Sequence, residues 1–129
     1  SLAPDFEMMT PEGKTLKFSE VWGKIVYIDI WSTWCAPCCK EIPYVAKLVE
    51  HYKNNSEIEF ISISLDKNLK DWKQFVIPEK QQRAFLKLYG INGIPRFMVF
   101  TKEGRIIDTN APRPSSENIM NYLDGILNP

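Results

Sequence analysis

Ile25-Val26-Tyr27-Ile28-Asp29-Ile30-Trp31-Ser32-Thr33-Trp34-Cys35-Ala36-Pro37-Cys38-Cys39 is the stretch that decides the fold. Residues 25–31 are apolar nearly throughout and rich in β-branched and aromatic side chains, the pattern of a strand covered on both faces. Directly after them two cysteines stand three apart at a strand-to-helix junction, which reads as a redox pair. In a helix beginning near Cys35, positions i and i+3 share one face, so the Cβ separation that a disulfide requires is within reach. Cys35 then lies at the helix N-terminus, where free N–H groups and the positive end of the dipole favour the thiolate. Its pKa is expected to fall below the ordinary value of roughly 8.5. Cys35 is therefore the expected attacking sulfur and Cys38, one turn deeper, the resolving one. Pro37 suits the first helical turn, where its missing N–H would have had no partner.

Outward from this stretch the chain alternates strand and helix patterns. On the N-terminal side, Glu7–Thr10, the turn signal Pro11-Glu12-Gly13-Lys14 and Thr15–Phe18 predict a short hairpin, followed by one helical turn over residues 19–23 that Gly23 ends. On the C-terminal side, Ile42, Val45, Leu48, Val49 and Tyr52 recur at helical spacing opposite Lys40, Lys47, Glu50 and Lys53, an amphipathic helix packed on a sheet. Pro43 inside it removes one hydrogen bond and is expected to kink it. Residues 58–64 form the next strand, and strand, crossover helix and parallel strand make a right-handed βαβ unit. Leu69–Val76 and Glu79–Tyr89 follow as helical patterns with little room for a further strand. Phe97–Thr101 and Arg105–Thr109 read as an antiparallel hairpin. Ser115-Ser116-Glu117 is a helix-start signal, and Ile119, Met120, Leu123, Ile126 and Leu127 give that last helix its buried face.

Composition narrows the function classes. At 129 residues, the natural reading is one domain, residues 1–129, with residues 1–24 as an N-terminal extension. Sixteen basic and sixteen acidic side chains cancel, which removes the electrostatic case for nucleic acid. No apolar stretch approaches the roughly 18 residues that cross a bilayer, and Ser1-Leu2-Ala3-Pro4 has neither the basic nor the apolar region of a signal peptide. Two of the three cysteines lie in C-x-x-C, so the chain is no disulfide scaffold. Cys39 is expected to pack as a small apolar residue on the helix flank. His51, the only histidine, cannot join it in a metal site, because twelve helical residues at roughly 1.5 Å each separate them by about 18 Å.

Trp34-Cys35-Ala36-Pro37-Cys38 after an apolar strand resembles the W-C-x-P-C site of the thioredoxin superfamily. Ala3-Pro4-Asp5-Phe6, together with Cys38-Cys39-Lys40-Glu41-Ile42-Pro43, resembles its TlpA/ResA-like branch of exported thiol-disulfide oxidoreductases. The resemblance implies a thioredoxin-like α/β sandwich, with a mixed central sheet flanked by helices and an N-terminal β-hairpin. It implies that Asp29 is a buried carboxylate beneath the cysteines that accepts a proton from the resolving thiol; burial would raise its pKa, as suits exchange near neutrality. The bland alternative for Asp29 is a strand-end acid satisfied by backbone. Glu41 matches the glutamate of C-x-x-C-x-x-E implicated in proton handling, against the alternative of a solvated helix-surface residue. Gly93-Ile94-Pro95 before a strand resembles the cis-proline loop that faces the disulfide and pairs with substrate backbone, so a cis Ile94–Pro95 bond is expected. Arg96, where threonine is more usual, is expected to be solvated. Trp31 and Trp34 are expected to shield the site, with Trp34 also offering a flat apolar contact to partners.

The reaction so implied is disulfide reduction in an extracytoplasmic, periplasmic protein, membrane-tethered in its full-length precursor. It needs no metal or organic cofactor beyond the Cys35–Cys38 disulfide. The expected partners are a disulfide-containing protein substrate and a membrane or soluble thiol donor that resets the pair, and the chain is expected to be a monomer. Three readings compete. A peroxiredoxin would also begin Ala-Pro-Asp-Phe, but its P-x-x-x-T-x-x-C pattern requires proline and threonine where this chain has Ile28 and Ser32. A zinc or copper carrier built on C-x-x-C-C lacks a second ligand cluster. The third is a structural disulfide in a non-catalytic interaction domain.

Overall fold

The computed structural model describes residues 1–67 and 74–129. In chain order the elements are β1 (Glu7–Met9), β2 (Thr15–Lys17), a 3₁₀ turn (Phe18–Val21), β3 (Ile25–Trp31), α1 (Ala36–His51), β4 (Ile58–Ser64), β5 (Phe75–Val76), α2 (Glu79–Leu88), β6 (Arg96–Phe100), β7 (Ile106–Asp108) and α3 (Ile119–Leu127). The strands form one mixed sheet in the order β2-β1-β5-β4-β3-β6-β7. β3 is central, parallel to β4 from Ile25↔Ile58 to Trp31↔Ser64 and antiparallel to β6 from Val26↔Phe100 to Ile30↔Arg96. This is the thioredoxin-like α/β arrangement that the sequence implies, with the expected hairpin at its start.

Strand alternation divides the core. From β3, Val26, Ile28 and Ile30 join Ile61, Ile63, Met98 and Phe100 on one face, against Phe18, Phe85 and Tyr89. Tyr27 joins Phe97 and Val99 on the other, against Leu48 and Tyr52 of α1 and Ile119 and Leu123 of α3. Asp29, two residues on from Tyr27, therefore belongs to the α1 face. Because helices or packed loops cover both faces, β3 is buried from Val26 to Trp31 and reads as a nearly unbroken apolar run.

The structure departs from the sequence expectation in two elements. Of the pattern expected to be helical over Leu69–Val76, residues 69–73 lie outside the described residues, and Phe75–Val76 form a strand instead. β5 pairs with β4 through Ile63↔Phe75 and Ser64↔Val76, and with β1 through Met9↔Val76, so it seats the N-terminal hairpin on the sheet. Two residues are too few to show a period of two, and their strand state comes from pairing partners on both sides. The last helix begins at Ile119, with Asn118 at its N-cap making no side-chain cap. Ser115 does not start it: the N-cap falls later in the chain, and the Ser115 N–H and hydroxyl bind Glu41, as described below.

Candidate active site

The carboxyl end of β3 delivers the chain through Ser32–Trp34 into α1, whose N-cap residue is Cys35. Cys35 and Cys38 are joined by a disulfide with their Cα atoms 5.2 Å apart. The Cys38 N–H points at the Cys35 sulfur, 3.2 Å away, so once the pair is reduced this amide and the helix N-terminus favour a thiolate at Cys35. Pro37 occupies the first turn, as its missing donor allows. Both sulfurs lie in a small apolar cluster with Trp31 and Val76, against Met9, Ile42 and Ile94. Cys35 is 6% exposed and Cys38 2%, which makes Cys35 the more accessible of the two.

Across from the disulfide, the loop before β6 brings up Ile94 and Pro95. The Ile94–Pro95 peptide bond is cis, and the Ile94 carbonyl oxygen lies 3.8 Å from the Cys35 sulfur. Both residues are half-buried beside the sulfur. Trp34 is 71% exposed next to Cys35. It does not shield the disulfide as expected: Trp31 is the tryptophan packed against the sulfurs, while Trp34 presents its ring outward.

Behind the disulfide is a cavity of about 140 Å³, whose lining includes Asp29, Ser62, Cys38, Glu41 and Pro95. Both candidate carboxylates thus meet the resolving cysteine at one space, which is large enough for more than one water molecule. Asp29 is 8% exposed and accepts a hydrogen bond from the Ser62 hydroxyl at 2.6 Å. Glu41 is 6% exposed, so it is not the solvated surface acid of the bland alternative. Its two oxygens accept the Ser115 N–H at 2.9 Å and the Ser115 hydroxyl at 2.7 Å. The loop before α3 thereby holds Glu41. The field of the two acids reaches Tyr27, whose hydroxyl donates to the Pro112 carbonyl. Burial first, then the negative charges of Asp29 and Glu41, push the Tyr27 phenol well above its ordinary value.

Two other sequence expectations are corrected. Cys39 is a free, exposed cysteine, its sulfur 3.6 Å from the Thr33 carbonyl oxygen, and does not pack on the helix flank. Its position in the helix turns it away from the sheet, whereas Cys38 turns toward it. Arg96 is half-buried and tied down, not solvated: its guanidinium donates to the Thr109 carbonyl at 3.1 Å and to the Asn92 side-chain oxygen at 3.2 Å. α1 continues through Pro43 to His51, and His51 is exposed at the far end of that helix from Cys35. Among the described residues, no group of three or more His, Cys, Asp or Glu is placed to hold a metal ion. Sequence reasoning missed Ser62, Ser115 and Asp66. The last is a buried carboxylate just past β4 that binds Thr33, and its place at the carboxyl end of a central strand was the one available signal.

The Redoxin family model matches residues 1–124. The chain is 30% identical to the thiol-disulfide oxidoreductase ResA of Bacillus thuringiensis subsp. konkukian, over 96% of this chain and 76% of that protein. With ResA of Bacillus subtilis it shares 25% identity, over 95% of this chain and 72% of that protein. Among solved structures, a protein of Bacteroides vulgatus described as a candidate thiol-disulfide oxidoreductase superposes with a TM-score of 0.85 at 33% identity, covering 97% of this chain and 94% of that one. A match that starts at the first residue, runs through both cysteines and Pro95 and ends inside α3 shows that the chain belongs to the Redoxin family.

Proposed function

We propose that this chain is a thiol-disulfide oxidoreductase that reduces disulfides of extracytoplasmic proteins. The observation that carries the reading is a disulfide-bonded helix N-cap cysteine, with the cis Ile94–Pro95 loop in front of it and a cavity bearing two carboxylates behind its partner. The similarity to proteins named thiol-disulfide oxidoreductase ResA supports the same activity.

In the reduced protein, the Cys35 thiolate attacks one sulfur of a substrate disulfide. A Cys35–substrate bond forms, and the other substrate sulfur leaves as a thiolate that takes up a proton. Trp34 supplies a flat apolar contact, and the backbone beside Ile94 and Pro95 aligns the substrate strand. Cys38 then loses its proton toward the cavity, where Asp29 or Glu41 accepts it, directly or through water. Its thiolate attacks the Cys35 sulfur, the second substrate thiolate leaves, and the Cys35–Cys38 disulfide is restored. Two electrons have passed to the substrate, and a membrane or soluble thiol donor returns them to the pair. No metal or organic cofactor enters this cycle.

Insulin reduction with dithiothreitol tests the reading. Wild type should outpace Cys35→Ser clearly, and equal rates would defeat it. The reductive direction is tested separately by the reduction potential of the pair, since a value near −120 mV, about that of a strong oxidant, would reverse it.

A further inference from the structure

We propose that Asp66 is a positioning residue of the redox site: it holds Thr33, and through it the loop that presents Trp34 and Cys35, to the sheet. Asp66 lies just beyond the carboxyl end of β4, 4% exposed. The Thr33 N–H reaches its two oxygens at 3.1 and 3.2 Å, and the Thr33 hydroxyl donates to the first at 2.8 Å. The Ser64 hydroxyl donates to the second oxygen at 2.5 Å and accepts the Asp66 N–H at 2.8 Å, which fixes the carboxylate's own orientation. All the donors are neutral, and both side-chain oxygens of Asp66 act as acceptors. Among the described residues, no cation lies within ion-pair distance of it.

The loop has few other anchors. The Ser32 hydroxyl is buried with no hydrogen-bond partner among the described residues. The remaining ties near it are the Cys39 thiol on the Thr33 carbonyl at 3.6 Å, which runs to α1 rather than to the sheet, the Cys35 N–H on the Ser32 carbonyl at 3.3 Å, within the loop itself, and the Leu65 N–H on the Trp31 carbonyl at 2.9 Å, before it. Asp66 is therefore what joins the middle of the loop to the sheet. Releasing it frees Cys35 to shift against the Cys38 N–H and the Ile94 carbonyl, and a misplacement on the order of 1 Å costs as much as a hundredfold in such reactions.

The proposal rests on the thiol-disulfide reading, so its test includes a readout that needs no substrate protein. With the protein reduced, iodoacetamide alkylation of Cys35 is timed at pH 7 in a Cys38→Ala, Cys39→Ala background. Equilibration of the pair with glutathione is measured in the otherwise wild-type chain. Asp66→Ala should slow alkylation about tenfold and shift the glutathione equilibrium, and Thr33→Val, which loses the hydroxyl bond but keeps the N–H on Asp66, should move both in the same direction by less. Because both act through one contact, the double variant should be no worse than Asp66→Ala alone. Asp66→Asn, which keeps an oxygen for Thr33, should stay within about threefold of wild type. If Asp66→Ala fails to fold, Thr33→Val and Asp66→Asn carry the same test. Alkylation and glutathione equilibrium within twofold of wild type, with only the thermal midpoint lowered, would reduce Asp66 to a structural role and overturn the proposal. Faster alkylation in Asp66→Asn would also overturn it, by making the charge rather than the contact decisive. Failure of insulin reduction in the wild type, with these alkylation effects intact, would defeat the proposed activity but not the positioning role.

Discussion

Replacing Asp29 with asparagine should leave attack by Cys35 intact and slow resolution by Cys38. The substitution is close to isosteric, so it preserves the cavity and still offers an oxygen to the Ser62 hydroxyl that now donates at 2.6 Å. What it removes is the proton acceptor. General-base catalysis is worth about 10²–10⁴-fold, so resolution at pH 7 should fall about a hundredfold or more, equivalent to about 2.7 kcal/mol of barrier. Glu41→Gln should cost less, on the order of tenfold, because both Glu41 oxygens already serve Ser115. The assay forms a mixed disulfide between Cys35 and thionitrobenzoate and follows release of the coloured thiolate in a stopped-flow instrument; alkylation of Cys35 serves as the control for the first step. Raising the pH should close the gap, since an ordinary thiol ionises unaided above about 8.5. Resolution within twofold of wild type in both variants would refute a proton route through this cavity. A larger loss in Glu41→Gln than in Asp29→Asn would move the role to Glu41.

Three further outcomes are expected. Trp34→Ala should change stability by less than about 0.5 kcal/mol, because the ring is 71% exposed, yet raise KM for protein disulfides; an unchanged KM would remove Trp34 from the substrate surface. Gly104 has φ +84°, and an added Cβ there would stand 2.5 Å from Trp22 ring atoms. Gly104→Ala should cost about 2–5 kcal/mol in urea unfolding, from left-handed backbone strain and overpacking together. Asp5 titrates below its ordinary 3.8: slight burial, the largest influence, raises it, but hydrogen bonds from the Ser19 side chain and the Ser19 and Phe6 amides, with the Lys17 charge, outweigh that. A lowered folded pKa stabilises above 3.8 and is lost as the pH falls through the folded value. Wild type should therefore exceed Asp5→Asn in stability at pH 7, and the difference should vanish in acid; a difference independent of pH would contradict this.

Much of the protein is legible in short windows of its sequence. The apolar run of β3, the helical spacing from Ile42 to Tyr52 and the C-x-x-C pair each depend on residues a few positions apart, where backbone periodicity and helix-terminus chemistry act directly, whereas the cis bond at Gly93-Ile94-Pro95 is expected from the family resemblance alone. What these windows do not hold is the pairing of distant polar groups. Whether Glu41 is solvated or buried turns on Ser115, 74 residues away, and the seat of Thr33 turns on Asp66, 33 residues away. β5 is a strand because β1 and β4 flank it, and Cys39 is exposed because the sheet lies on the other side of its helix. The sequence by itself determined the central strands, the helix after Cys35 and the two redox sulfurs, since hydrophobic period and local spacing suffice for those, while β5 waited on its pairing partners. Only the tertiary structure decided which carboxylates face Cys38 and which hold the loop, because hydrogen bonds across a sheet and between loops leave no period in the chain.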